Sequence, residues 1–314
     1  MRVVSMSNPK KREPSSILPK ITWDAIAPPY PDYPYFDGID LYPFHHHATG
    51  FDMVNAWWLI EASTLAYAEE DFARPMFQKA GLTEVKFFTG DSTQCFVASN
   101  DDFAIVVFRG TEIRRRTGET NFRHIIADLK TDVDITLTDS GQRGKVHRGF
   151  KNALDEVWEK KGLHEYIKSN YTSSRTIWFT GHSLGAALAT LAAGRYENVR
   201  GTYTFGSPRV GDKDFKNGFH ASTYRFVNNS DIVTRMPPPV LYKHVGDLKY
   251  IDSKGIINDE SNRWERITNP ILGKISYIFN SPGKTDSGLS ALIPDDIVDH
   301  VPTSYATHVW NNIP

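Results

Sequence analysis

Apolar positions change their spacing along the chain, and each change marks an element. From Phe51 onward, Val54, Trp57, Trp58, Leu65 and Ala68 fall on one face of an amphipathic helix, a stripe that Glu61 interrupts. Residues 87–88 and 94–98 read as short strands. The run F-A-I-V-V-F at 103–108 is apolar at every position and β-branched at its centre, the pattern of a strand covered on both faces. R-T-I-W-F-T at 175–180 is another, followed by 203–205 and 224–227. Helical spacing falls between them, over 152–161, 183–196 and a shorter stretch near Phe215. Strands that alternate with helices predict an α/β fold with a mainly parallel central sheet and helices on both faces. No internal repeat or low-complexity tract interrupts the pattern.

The first 50 residues differ. A short basic run, Lys10, Lys11 and Arg12, precedes Pro14, Pro19, Pro28, Pro29, Pro31, Pro34 and Pro43. Proline fixes φ and removes a backbone donor, so this arm is expected to be extended. Tyr30, Tyr33, Tyr35 and Tyr42 are greasier than a linker needs and predict docking along the main domain. The division expected is an arm over 1–50 and one α/β domain over 51–314. The charge balance is 36 basic against 37 acidic residues, net -1, so nothing draws the whole chain to nucleic acid. A hydrophobic share of 40% excludes a wholly disordered chain. The longest strongly apolar stretch, 184–193, is too short to span a bilayer. A single cysteine, Cys95, and an N-terminus without a signal-like apolar core lead to the expectation of a cytoplasmic, reducing setting. The sequon Asn228-Asn229-Ser230 points weakly the same way, because a glycan there would crowd the candidate acid described below.

Gly181-His182-Ser183-Leu184-Gly185 fits G-x-S-x-G. The pattern alone is weak, but here it follows the strand I-W-F-T and precedes A-A-L-A-T-L-A-A, a strand–turn–helix setting that projects a serine hydroxyl above a sheet. The glycines let strand and helix approach closely, and the helix N-terminus favours negative charge. Ser183 is therefore the candidate nucleophile.

Several segments now share an order with a known family. They are V-V-F-R-G-T (106–111), I-I-A-D-L (125–129), V-H-R-G-F (146–150), T-G-H-S-L-G (180–185), Y-T-F-G-S-P-R-V-G-D (203–212), N-N-S-D-I-V (228–233) and D-H-V-P-T-S-Y (299–305). With them the chain from about Phe51 onward resembles the class 3 lipases of the α/β-hydrolase superfamily, the group of the filamentous-fungal triacylglycerol lipases. Residues 1–50 and about 252–294 lie outside the resemblance.

A serine hydroxyl needs a histidine base, and the histidine needs a carboxylate to fix its tautomer. In this fold the acid and then the histidine follow the serine in the chain. His220, His244, His300 and His308 follow Ser183. His300 is preferred: it precedes Pro302, which can open a helix, whereas His308 would fall inside that helix. Asp231 is the preferred acid, in a polar turn just past an apolar strand, where α/β sheets build their sites. Asp212 is its rival, at a position to which the family assigns no chemistry. The resemblance also favours Asp231 and His300; His147 and His182, which fall within the shared motifs, are assigned structural roles, and Tyr305 is read as a packing residue.

The backbone N–H of Leu184, just after the nucleophile, is one expected oxyanion donor. The resemblance implies Thr111, after the 103–108 strand, as the second, and a lid over residues 112–124. That stretch carries Arg114, Arg115, Arg116 and Arg123, so a polar flap with a weak interfacial switch is expected. His45-His46-His47 is a poor metal site, since neighbours in an extended segment point apart. No cofactor and no metal are expected. The expected activity is hydrolysis of carboxylic esters, first of all triacylglycerols, through a Ser183–Asp231–His300 triad and an acyl-enzyme. The alternatives are a phospholipase A1 or feruloyl-type esterase with the same machinery, or a non-catalytic lipase-like binding protein. The expected partners are a lipid or other ester substrate and, transiently, a lipid interface.

Overall fold

The computed structural model describes residues 11–13, 23–110, 135–171, 175–259 and 293–314. Their apolar runs assemble one eight-stranded sheet. Strands β1 (Glu84–Thr89), β2 (Gln94–Ser99) and β3 (Phe103–Phe108) form an antiparallel meander. A separate two-stranded ribbon pairs β4 (Leu137–Asp139) with β5 (Lys145–His147). From β3 the main sheet continues in parallel through β6 (Thr176–His182), β7 (Val199–Phe205), β8 (Thr223–Asn228) and β9 (Asp247–Ile251). The antiparallel β10 (Ile257–Asn258) ends it. β3 is buried at every residue because helices cover both of its faces, while the edge strand β1 mixes buried and exposed positions. The mainly parallel α/β sheet expected from the alternation of patterns is present.

The helices, in chain order, are α1 (Trp23–Ile26), α2 (Met53–Leu65), α3 (Glu70–Lys79), α4 (Arg148–Asp155), α5 (Leu163–Asn170), α6 (Leu184–Arg195), α7 (Lys213–Gly218), α8 (Asp295–Val298) and α9 (Pro302–Asn311). Two apolar layers sandwich the sheet. One joins α2, α3 and α9 to side chains of the first 50 residues; the other joins α4, α5 and α6. The helix read at 152–161 starts four residues earlier, at Arg148, because His147 Nδ1 accepts the Phe150 N–H and caps it. It then widens into a π-turn over Glu156–Lys160.

The arm explains Glu61. Helix α2 is buried almost all round, so its acid has no water to turn to. Instead its carboxylate accepts from Tyr33 Oη at 2.7 Å, Trp57 Nε1 at 2.9 Å and the Phe36 N–H at 3.2 Å, and pairs with the Arg12 guanidinium at 3.1 Å. Burial pushes the Glu61 carboxyl up, and the Arg12 charge leads the opposing effects. Arg12 also lies 4.1 Å from the Trp310 ring centre and exchanges backbone hydrogen bonds with the Asn311 side chain, both at 2.8 Å. The break in the α2 stripe is thus where the arm binds, and through Trp310 and Asn311 the same contact reaches α9. Tyr30, Tyr33 and Tyr35 are buried in this layer, and Tyr42 meets Trp310 edge-on at 5.7 Å.

Candidate active site

The turn between β6 and α6 is set by close approach. A Cβ on Gly181 would lie 2.3 Å from the Gly185 carbonyl, and one on Gly185 would lie 2.1 Å from the Phe108 carbonyl oxygen. Only glycine fits at either place. Between them Ser183 is held at φ 58°, ψ -126°, a conformation that L-residues rarely adopt and that costs of order 1–3 kcal/mol. Its side chain caps no helix N–H. Leu184 is the first residue of α6, so its N–H stands at the positive end of the helix.

The loop after β8 and the loop before α9 bring the other two groups to this serine. Ser183 Oγ lies 2.9 Å from His300 Nε2. His300 Nδ1 lies 3.0 and 2.9 Å from the two oxygens of Asp231. An ionised carboxylate only accepts, so Nδ1 carries the proton and Nε2 is free to accept from Ser183. Asp231 is fully buried and receives two further donors, the Val233 N–H at 2.9 Å and Tyr305 Oη at 2.6 Å. Such a carboxylate is fixed in one plane, and the imidazole is fixed with it.

His182 braces the same histidine from behind. Its Nε2 donates to the His300 carbonyl at 2.8 Å, and Tyr67 Oη donates to its Nδ1 at 2.8 Å. Burial, and then the neighbouring His300, pull its pKa well below the ordinary histidine value. It therefore stays neutral, which this pair of bonds requires.

Tyr305 corrects the expectation of a packing residue. It does pack edge-on against Phe205, but its hydroxyl also bonds Asp231 and accepts the Asn228 N–H at 3.0 Å. Burial and the Asp231 charge raise its pKa well above the ordinary tyrosine value, so it remains a donor. The spacing from His300 holds the only available signal: α9 opens at Pro302, which sets Tyr305 in its first turn. Tyr305→Phe removes one hydrogen bond to a buried charge and orphans one buried N–H. It is expected to cost about 2–3 kcal/mol of stability and to lower kcat with little change in KM, checked by urea melts beside steady-state kinetics.

The other candidates lie elsewhere. Asp212 caps α7 by accepting the Phe215 N–H at 2.8 Å. His308 sits within α9 against Gly255, His244 bonds the Thr234 carbonyl at 2.8 Å, and His220 is exposed. His147 is the cap of α4 and stacks on Phe150. Thr111 and the lid stretch 112–124 lie outside the described residues. Gly110, the last one before them, is packed so tightly that an added Cβ would collide with the Tyr67 hydroxyl. Among the described residues no group of three His, Cys, Asp or Glu side chains is placed to hold a metal ion, and no helix is long and apolar enough to cross a membrane.

A parallel sheet carrying a strained serine turn, with histidine and acid delivered from later loops, defines an α/β-hydrolase. Residues 105–241, under half of the chain, match the family model of Lipase (class 3). It is 37% identical over 124 residues to the Secreted mono- and diacylglycerol lipase 1 of Fusarium solani, covering 36% of each chain. It is 31% identical over 162 residues to Phospholipase A1-II 3 of Oryza sativa subsp. indica, covering 39% of each. The solved structure of Rhizomucor miehei triacylglyceride lipase superposes with a TM-score of 0.50 at 26% identity, covering 69% of this chain and 89% of that one. The chain thus matches less than half the length of these two curated relatives.

Proposed function

We propose that this protein hydrolyses carboxylic esters, acylglycerols foremost, through a covalent acyl-enzyme. The observation that carries the reading is the 2.9 Å contact of Ser183 Oγ with a histidine nitrogen whose ring partner is locked onto a buried carboxylate. Ser183 Oγ attacks the ester carbonyl carbon while His300 Nε2 takes its proton. Asp231 holds the imidazolium that forms. Negative charge collects on the former carbonyl oxygen, where the Leu184 N–H is one donor and Thr111 is the proposed second; each such donor is worth roughly 10²- to 10³-fold. The ester C–O bond then breaks and His300 protonates the departing alcohol. Water repeats the attack on the acyl-serine, His300 accepts its proton, and the carboxylic acid leaves as Ser183 regains its hydrogen.

The rice relative, named a phospholipase A1, favours a second reading in which the leaving alcohol is a lysophospholipid. The triad serves both, because the choice lies in how the rest of the substrate is held. A reducing, cytoplasmic setting is part of the proposal, supported by the lone cysteine, Cys95, buried in β2. A panel of p-nitrophenyl esters of increasing chain length, emulsified triacylglycerol and diacyl phosphatidylcholine tests the substrate class. Faster release of fatty acid from triacylglycerol supports the first reading, and faster release from the phospholipid supports the second. No turnover of any ester, with no fluorophosphonate adduct on Ser183, overturns both.

A further inference from the structure

Resting on the hydrolase reading, we infer that Asp299 is a positioning residue that clamps the loop bearing His300 to the turn bearing Asp231. Asp299 directly precedes His300 in the chain. Its Oδ2 accepts the Ser230 N–H at 2.9 Å and Asn229 Nδ2 at 3.0 Å, from the two residues just before Asp231. A third bond runs between the same segments, from Asn228 Nδ2 to the Asp299 carbonyl at 3.0 Å. The two loops are 69 residues apart in sequence at Asp231 and His300, and these bonds join them one residue away from the catalytic contact.

The turn needs such a hold. Asn229 sits at φ +36°, a positive value for a residue other than glycine, and its side chain donates to the Asp299 carboxylate. Without that acceptor the turn has less reason to keep a strained form, and Asp231 would drift relative to the imidazole. A displacement of about 1 Å in a catalytic group can cost roughly a hundredfold in rate.

The charge on Asp299 is not there for stability. The charged groups acting on it are Asp231 on the β8 turn and Asp295 in α8, while Tyr305 in α9, its pKa raised well above the ordinary tyrosine value, stays neutral in this range. Burial and then the two acids push its carboxyl up to about 6, against the pull of the bonds from Ser230 and Asn229. A folded-state value above the ordinary carboxylate value means that the folded protein holds the proton more tightly than the unfolded chain. Stability therefore falls as pH rises through that window, and the ionised group is a cost at neutral pH. What the ionised carboxylate supplies in return is a stronger, charge-assisted clamp.

Asp299→Asn keeps an acceptor oxygen and loses the charge, so it mimics the protonated wild type. The test is the ratio of wild-type to Asp299→Asn kcat across pH 5–8 on a soluble p-nitrophenyl ester. Taking a ratio cancels the titration of the triad itself. The ratio is expected at about two or below at pH 5 and to rise through pH 6 to roughly tenfold, with KM unchanged and with a melting temperature at pH 8 equal to or above that of wild type. Asn229→Gly, which relieves the positive φ but removes the donor, should lower kcat in the same way. The double variant should lose little beyond the larger single loss, since both cut one clamp. A flat ratio, loss of activity only in step with melting temperature, or single losses that multiply would overturn the inference. If the wild type itself forms no fluorophosphonate adduct at Ser183, the hydrolase reading fails and takes this one with it.

Discussion

Ser183→Ala is expected to lower turnover by roughly 10⁵- to 10⁶-fold while leaving the fold intact. The size follows from the chemistry: without the hydroxyl no acyl-enzyme forms, and what remains is whatever the oxyanion donors and binding supply for direct attack by water. The intact fold follows from the geometry. The Ser183 side chain caps no N–H of α6, so no helix end is left unsatisfied. Alanine meets the same penalty at φ 58° that serine already bears, because both carry a Cβ. The vacated space is one oxygen, and the main bond lost is the one to His300. Ester hydrolysis and fluorophosphonate labelling read the first effect, and thermal melts read the second. A variant that retains a tenth or more of wild-type turnover would remove Ser183 from the mechanism, and a variant that fails to fold would contradict the structural account of the turn.

The elements legible in the sequence are those whose burial is uniform. Phe103–Phe108 could be read because both faces are covered and every residue is apolar. Strand β9 could not. Its segment D-L-K-Y-I carries Lys249, which reads as exposed, yet that side chain is mostly buried, lying over the Phe51 ring at 3.9 Å and reaching Asp259 at 2.6 Å with its charged end. Helix α3 was hidden by Pro75, a residue that normally ends a helix and here sits inside one. Glu61 looked like a flaw in a stripe because its partners, Arg12, Tyr33 and Phe36, lie 25 to 49 residues away.

The site divides along the same line. The serine turn is local: five consecutive residues and their flanking patterns specify it. Asp231 and His300 could be placed from their positions after a strand and before a helix, together with family resemblance. The groups that hold them could not. Tyr305 acts across 74 residues and Asp299 across 69, and neither spacing has a period that pattern reading detects. Hydrogen bonds that span the fold depend on tertiary closeness, and in one sequence a tyrosine that packs looks the same as a tyrosine that donates.

Gly206→Ala should lower kcat by roughly a hundredfold, the larger of two effects that the substitution combines. Gly206 follows β7 at φ +61°, where a side chain costs about 1–2 kcal/mol. An added Cβ would also stand 2.9 Å from Asp231 Oδ2 and 3.0 Å from His300 Nδ1 and Cε1. Neither group can retreat cheaply. Asp231 is held by Val233, Tyr305 and His300, and the His300 carbonyl is held by His182. The methyl group therefore either parts the acid from the imidazole or displaces the turn that carries it. Gly81→Ala separates these causes: Gly81 has φ +84° but nothing within 4 Å of its added Cβ. It should show a comparable loss of stability with kcat at the wild-type level, whereas Gly206→Ala loses both. Equal kcat values for the two variants, measured on the same ester after matching the folded fraction by circular dichroism, would mean that the space beside Asp231 and His300 does not matter to the reaction.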